Sequence, residues 1–169
     1  MRLVENPGWK ARRASQSDAR GILALFERSI QDGMASKDDA AGDLHDVMGF
    51  YETGEGLGRF WVVEDAEHGI VGMIGVIPEQ EHVARMRRLH VHPSMRMKGI
   101  GSCLVSQALQ HCHDNGFVKI HLETDEFQKA AIALFTRFGF RHQRTKEGDN
   151  RNIMEFYIDL YSSTPDREG

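Results

Sequence analysis

The stretch RMRRLHVHPSMRMKGIGSCL, residues 85–104, constrains the fold more than any other part of the chain. A β-biased run ending in Val91 is closed by Pro93, and Gly99 and Gly101 then open a helix marked by Ile100, Leu104 and Ala108, with Cys103, Val105, Leu109 and Cys112 beside them. The chain must therefore turn tightly from a strand into a helix. The first N–H groups of a helix lack intrahelical partners and sit at the positive end of its dipole, so such a turn suits an anion. Gly99 and Gly101 would let a diphosphate approach the main chain, and Arg96 and Lys98 add positive charge beside it. The plainer alternative is that the glycines only tighten the turn; the flanking cations weigh against it. The turn is neither a P-loop, having no G-x-x-x-x-G-K-S/T, nor a dinucleotide fingerprint, having only G-x-G.

Around this segment the punctuation predicts one domain of 169 residues, with a core over 9–160 and a polar tail over 161–169. Residues 9–13 read as a strand. Ile22, Leu25, Phe26 and Ile30 recur at helical spacing after Ser17, as do Leu44, Val47, Met48 and Tyr51. A glycine-studded loop over 53–58 follows, then a hairpin of 60–63 with 70–77, the second strand stopped by Pro78. Further strands are expected at 83–91, 118–123 and 153–161. A late helix carries Ala131, Leu134, Phe135 and Phe138, with Gly139 at its end and Phe140 re-entering extended chain. The order predicts a mixed α/β domain around one central sheet, since a doubly wound parallel fold would alternate more regularly.

Composition narrows the partners. With 21 Lys+Arg against 25 Asp+Glu the net charge is −4, which argues against nucleic acid or an anionic membrane as partner. Yet residues 82–98 hold Arg85, Arg87, Arg88, Arg96 and Lys98 and no acid, leaving −9 for the rest. Two cysteines, Cys103 and Cys112, read as small core residues and exclude a disulfide scaffold. The opening MRLVENPGWK has no signal-peptide core, and the longest apolar run falls far short of the roughly 20 residues of a membrane span. A reduced, cytoplasmic setting is expected. On a helix His111 and His113 diverge, and neither that pair nor His90 with His92 has a Cys or carboxylate cluster to complete a four-ligand set, so no metal is expected.

The order Leu89-His90-Val91-His92-Pro93, then Arg96-x-x-Gly99-x-Gly101, resembles the acetyl-CoA-binding core of the GNAT superfamily of N-acetyltransferases. The later run from Gln128 through Ala131, Leu134 and Phe135 to Gly139-Phe140, preceded by Leu122-Glu123-Thr124, is similar to that family's second motif and to its camello-type branch in particular. The likeness covers about residues 60–140; residues 1–58 agree only in their order of strand and helices. It implies a mostly antiparallel, partly splayed sheet with helices on both faces, and acetyl transfer from acetyl-CoA to an amine. By the same resemblance Leu89, His90 and Val91 would hold the pantetheine arm and thioester. The amides of Met97, Lys98, Gly99, Ile100, Gly101 and Ser102 would take the diphosphate with Arg96, and Gln128 and Phe135 would flank the arm.

The chain departs from the family pattern in two respects. Phe135 stands where many members have a Tyr that protonates the leaving thiolate, and Arg85 and Arg87 stand where a Glu is common on the strand. Candidate bases are then Glu81, Glu123 and, third, His90, each weighed against an ordinary solvated role. Arg85 and Arg87 either face an acceptor carboxylate or make surface ion pairs. The expected reaction is ordered attack of a neutral primary amine, the α-amino group of an amino acid or its conjugate, on the thioester. The helices of residues 17–51 and the 53–58 loop would form the acceptor wall. Rival readings are a protein N-terminal or lysine acetyltransferase and a non-catalytic acetyl-CoA sensor. Vertebrate camello members carry a membrane segment not seen here, and a homodimer is an open option.

Overall fold

In sequence order the chain forms β1 (Trp9–Arg13), α1 (Ala19–Gln31), α2 (Val47–Tyr51), β2 (Arg59–Asp65), β3 (Gly69–Gln80), β4 (Val83–Val91), α3 (Ile100–Asp114), β5 (Lys119–Asp125), α4 (Lys129–Arg137), β6 (Arg141–Lys146) and β7 (Ile153–Asp159). These come from a computed structural model, which describes residues 8–53 and 56–161. The expected tail beyond residue 161, the first seven residues and the centre of the 53–58 loop lie outside the described residues.

The strands make one sheet in the order β1-β2-β3-β4-β5-β7-β6. Every neighbouring pair is antiparallel except β4 and β5. That parallel pair is short: Val83, Ala84 and Arg85 face Lys119, Ile120 and His121, and beyond Arg85 the two strands part. The remaining edge of β4 thus borders a gap in the sheet.

Helices cover both faces. On one, Ile100, Leu104 and Val105 of α3 and Leu134 and Phe135 of α4 pack on Val71, Ile74, Val76, Ala84, Met86, Ile120 and Leu122. On the other, Ile22, Leu25 and Phe26 of α1 and Val47 and Tyr51 of α2 cover Phe60, Val62 and Met73. The 3.6-residue spacing of α1 puts its apolar residues on one stripe, and Asp18, paired with Ser15 in a capping box, starts it. Among the described residues no helix is long and apolar enough to cross a membrane.

One glycine serves this packing directly. A Cβ on Gly72 would stand 2.8 Å from Ile100 Cγ2 and 3.1 Å from Leu104 Cδ1, so α3 rests directly on the main chain of β3. Gly72→Val should therefore cost about 1–3 kcal/mol, the usual range for overpacking a filled core. Urea unfolding checks this, and an unchanged midpoint would contradict so close a contact.

Two expectations need correction, on Pro78 and on Cys103. Pro78 does not stop its strand: β3 runs to Gln80, because the register shifts between Pro78 and Gln80, and an irregularity of that kind tolerates the missing N–H. The extended chain expected after Phe140 is present as a separate edge strand, β6, all of whose residues are exposed. Cys103 is only partly buried, whereas Cys112 is fully buried.

Candidate coenzyme and acceptor cleft

The parting of β4 and β5 opens a cavity of about 310 Å³. Its walls are residues 85–90 of β4 and 122–125 of β5, Gln128, Ala131 and Phe135 at α4, and Met34, Ala35, Ser36 and Asp39 from the connection between α1 and α2. Within this wall β4 is bulged. Gly75 faces Arg87 and Met73 faces His90, so Arg88 and Leu89 together oppose Ile74, and Arg88 takes φ +64°.

Beyond Val91 the chain makes the expected turn. His92 Nδ1 accepts the Ser94 N–H at 3.1 Å, Pro93–Met95 form a short 3-10 turn, and Gly99, at φ +84°, caps α3. Cys103 N–H donates to the Gly99 carbonyl at 3.0 Å, so the amides of Ile100, Gly101 and Ser102 precede the helical ladder and have no partner within it. A Cβ on Gly99 would meet nothing within 4 Å, so the turn is open on that side of Gly99. Gly101 has another task. Its Cβ would lie 3.1 Å from Leu134 Cδ2, so its absence lets α3 approach α4 instead of clearing a path for an anion. Arg96 and Lys98 are exposed at the turn, Arg96 reaching the Val91 carbonyl at 3.5 Å.

Most of the residues expected at the site converge. Leu89, His90, Gln128, Phe135, Arg85, Arg87 and Glu123 line the cavity, and Val91 leads from it to the turn over Arg96 to Ser102. Glu81 does not join them. It sits in the β3–β4 turn, at the end of β4 that is still paired with β5, with its side chain 87% exposed and His82 at 3.5 Å. Position before the strand cannot bring it to the gap, because the strands diverge only at the other end.

The cations are less free than their clustering suggested. Arg85 Nε donates to Glu79 Oε2 at 2.8 Å, and Glu79 Oε1 meets His121 Nδ1 at 2.9 Å. Arg88 turns inward onto Asp39 and Asp43. Arg87 lies 3.8 Å from Asp43 Oδ1 and 5.7 Å over the Phe50 ring, with no hydrogen bond among the described residues. Glu123 Oε2 accepts from Lys146 Nζ at 2.8 Å and is 3.7 Å from Arg85. Burial, and to a lesser degree the charge of Arg88, push the His90 imidazole down to about 4, so it is neutral at physiological pH. Phe135 packs edge-on against Phe140 at 5.6 Å and offers no proton. Gln128 Nε2 donates to the Met34 carbonyl, tying α4 to the loop after α1. Sequence reasoning assigned no role to Asp39, Asp43 or Arg88; only the run of cations around Arg88 marked the place.

An open, mostly antiparallel sheet with one splayed parallel pair beside a glycine-capped helix is the architecture of known acetyltransferases. A GNAT-family acetyltransferase of Staphylococcus aureus superposes with a TM-score of 0.77 at 20% identity, over 90% of this chain and 99% of that one. YncA of Salmonella typhimurium, solved with its cofactor acetyl-CoA, gives 0.76 at 18% identity, over 93% and 96%. Residues 24–140 match the sequence model of the acetyltransferase (GNAT) family, and the chain belongs to that family of acetyl-CoA-dependent enzymes. N-acetyltransferase 8 of Homo sapiens is 34% identical over 104 residues, 59% of this chain and 45% of that protein. The uncharacterized N-acetyltransferase YjgM of Escherichia coli is 34% identical over 126 residues, 73% of this chain and 72% of that protein. The protein described as probable N-acetyltransferase camello of Xenopus tropicalis is 29% identical over 106 residues, 62% of this chain and 48% of that protein. The matched segment thus spans about half the length of the vertebrate relatives.

Proposed function

We propose that the chain transfers acetyl from acetyl-CoA to the primary amine of a small acceptor that carries a carboxylate, an amino acid or its conjugate. The observation that carries this reading is Arg87, a guanidinium facing the cavity without a hydrogen-bonded carboxylate, beside the bulge of β4.

The amides of Ile100, Gly101 and Ser102 receive the diphosphate, with those of Met97, Lys98 and Gly99 and the charges of Arg96 and Lys98 nearby. The unpaired edge of β4 at Leu89, His90 and Val91 hydrogen-bonds the pantetheine amides much as a strand would, between Gln128 and Phe135. A main-chain N–H at the bulge, directed at the thioester oxygen, stabilises the oxyanion as the amine attacks. The N–C bond forms and the C–S bond breaks. The ammonium proton goes to Glu123, directly or through water, with His90 the weaker alternative. Coenzyme A leaves as thiolate and takes a proton from solvent; a thiol pKa of about 8.5 makes that exit feasible without a Tyr at Phe135.

The test is thiol release from acetyl-CoA with amino acids, polyamines and lysine peptides as acceptors. Turnover is expected on the amino acids or their conjugates. Arg87→Ala should raise their KM about tenfold or more, the worth of a charge-assisted hydrogen bond of about 1.5–3 kcal/mol, and leave carboxylate-free amines unaffected. Turnover confined to polyamines or peptides would overturn the acceptor class. A second reading, an acetyl-CoA sensor, is favoured by Phe135 in the place of Tyr and predicts coenzyme binding with no thiol release on any acceptor.

A further inference from the structure

The strongest feature that this chemistry leaves unused is a side-chain cluster between two walls of the cavity. Arg88 Nε and Nη2 donate to Asp43 Oδ2 and Oδ1 at 3.0 and 2.7 Å, and Nη1 and Nη2 donate to Asp39 Oδ2 and Oδ1 at 2.6 and 3.1 Å. Tyr51 O–H donates to Asp43 Oδ2 at 2.5 Å, and the guanidinium stacks 5.2 Å over the Phe26 ring. The Arg88 and Asp43 side chains are 8% and 3% exposed, that of Asp39 35%.

Two facts give this cluster a direction. First, Arg88 is the bulge residue itself, held at φ +64°, a conformation that residues other than glycine, asparagine and aspartate rarely enter unless their surroundings enforce it. Its main chain belongs to the part of β4 that faces the gap. Second, both aspartates lie on the connection between α1 and α2, which supplies Met34, Ala35, Ser36 and Asp39 to the opposite wall. An ion pair made only for stability would need neither the bulge nor the loop.

We propose that Arg88 is a positioning residue that locks the β4 bulge to the acceptor loop, so that the loop's placement and the aim of the bulge's main-chain groups at the thioester are set together. This rests on the acetyl-transfer reading. A coenzyme seated along β4 then orders the loop before the acceptor arrives, and the loop, once displaced, relaxes the bulge.

Asp39→Asn is the first variant, because Asp39 is at the rim and its loss leaves Arg88 paired with Asp43. It should bind acetyl-CoA with wild-type Kd by calorimetry, yet show kcat lowered and acceptor KM raised together, each about fivefold to tenfold, as when a residue that sets a loop is altered. Arg88→Gly admits the same φ without strain but cuts the tie, and should lower kcat about a hundredfold, the scale of an ångström-level misplacement, with Arg88→Lys in between. Wild-type kcat and KM in Asp39→Asn, or a kcat loss matched by a loss of acetyl-CoA affinity, would overturn the proposal. A second readout needs no turnover. Hydrogen exchange over residues 32–41 should slow when coenzyme A is added to the wild type and not when it is added to Asp39→Asn; equal protection in both would also overturn it. The exchange result stands even where no acceptor is turned over, so failure of the acetyl-transfer reading and failure of the lock are told apart.

Discussion

Gly99→Trp should weaken acetyl-CoA binding by two orders of magnitude or more while leaving the chain folded. Gly99 occupies φ +84° at the start of α3, and the direction of its missing Cβ is empty to 4 Å, so a side chain can leave the main chain there without a clash at Cβ. Its bulk would then occupy space at the turn that precedes the amides of Ile100, Gly101 and Ser102. Loss of two hydrogen bonds to a charged group, at about 1.5–3 kcal/mol each, corresponds to roughly a hundredfold to ten-thousandfold in Kd. The fold itself loses the strain of a non-glycine residue in the left-handed region, about 1–2 kcal/mol, or roughly 2–8 °C in Tm for a chain of this size. Gly99→Ala separates the two effects, since it carries the backbone strain without the bulk. Calorimetric titration of both variants with acetyl-CoA is the measurement, and a Kd for Gly99→Trp within threefold of wild type would place the diphosphate elsewhere. Gly101, by contrast, is expected to act through stability, because its Cβ would meet Leu134.

That contrast shows where the sequence was legible. The strand, proline, glycine turn and helix over residues 85–104 are local events, each set by the φ preferences of neighbouring residues, and they stand where the spacing puts them. The two glycines look alike in the motif, yet what each approaches depends on α4, more than thirty residues away, which no local pattern encodes. Pro78 was misread for a similar reason: whether a proline breaks a strand depends on the partner's register, and here the irregularity opposite Ala84 absorbs it. The edge strand β6 carried no alternation because none of its residues is buried. The charge cluster was visible in the sequence, but which of its cations pair with carboxylates was not. Arg85 and Arg88 find Glu79, Asp39 and Asp43 in three dimensions; among the described residues Arg87, 3.8 Å from Asp43, has no hydrogen-bonded carboxylate at the cavity, and Arg96 and Lys98 stay exposed at the turn.

Arg88→Met should be the most destabilising single change at the cleft, and its cost should depend on pH in a definite direction. Removing one partner of a buried ion pair leaves an uncompensated charge and costs about 3–5 kcal/mol. At about 2–4 °C per kcal/mol that lowers Tm by roughly 6–20 °C. Burial by itself raises the Asp43 carboxyl, but Arg88, helped by the Tyr51 hydroxyl and by Arg87, overrides it and holds the group below the ordinary carboxylate value; Asp39 is depressed by the same balance of burial against Arg88. A carboxyl depressed in the folded state contributes stability that is complete above its unfolded pKa, about 3.9, and is lost as pH falls through the lower folded value. The wild type should therefore lose this contribution only below about pH 4. In Arg88→Met both carboxyls move up, so the native state takes protons more readily and less is lost on acidification. The stability gap between the two proteins should be widest near neutral pH and narrow below about pH 4, as read from urea unfolding at each pH. Asp43→Asn in the Arg88→Met background removes the stranded charge, so the double variant should be less destabilised than the sum of the single changes. A gap independent of pH, or strict additivity, would mean that Arg88 acts through packing on Phe26 and not through the two aspartates.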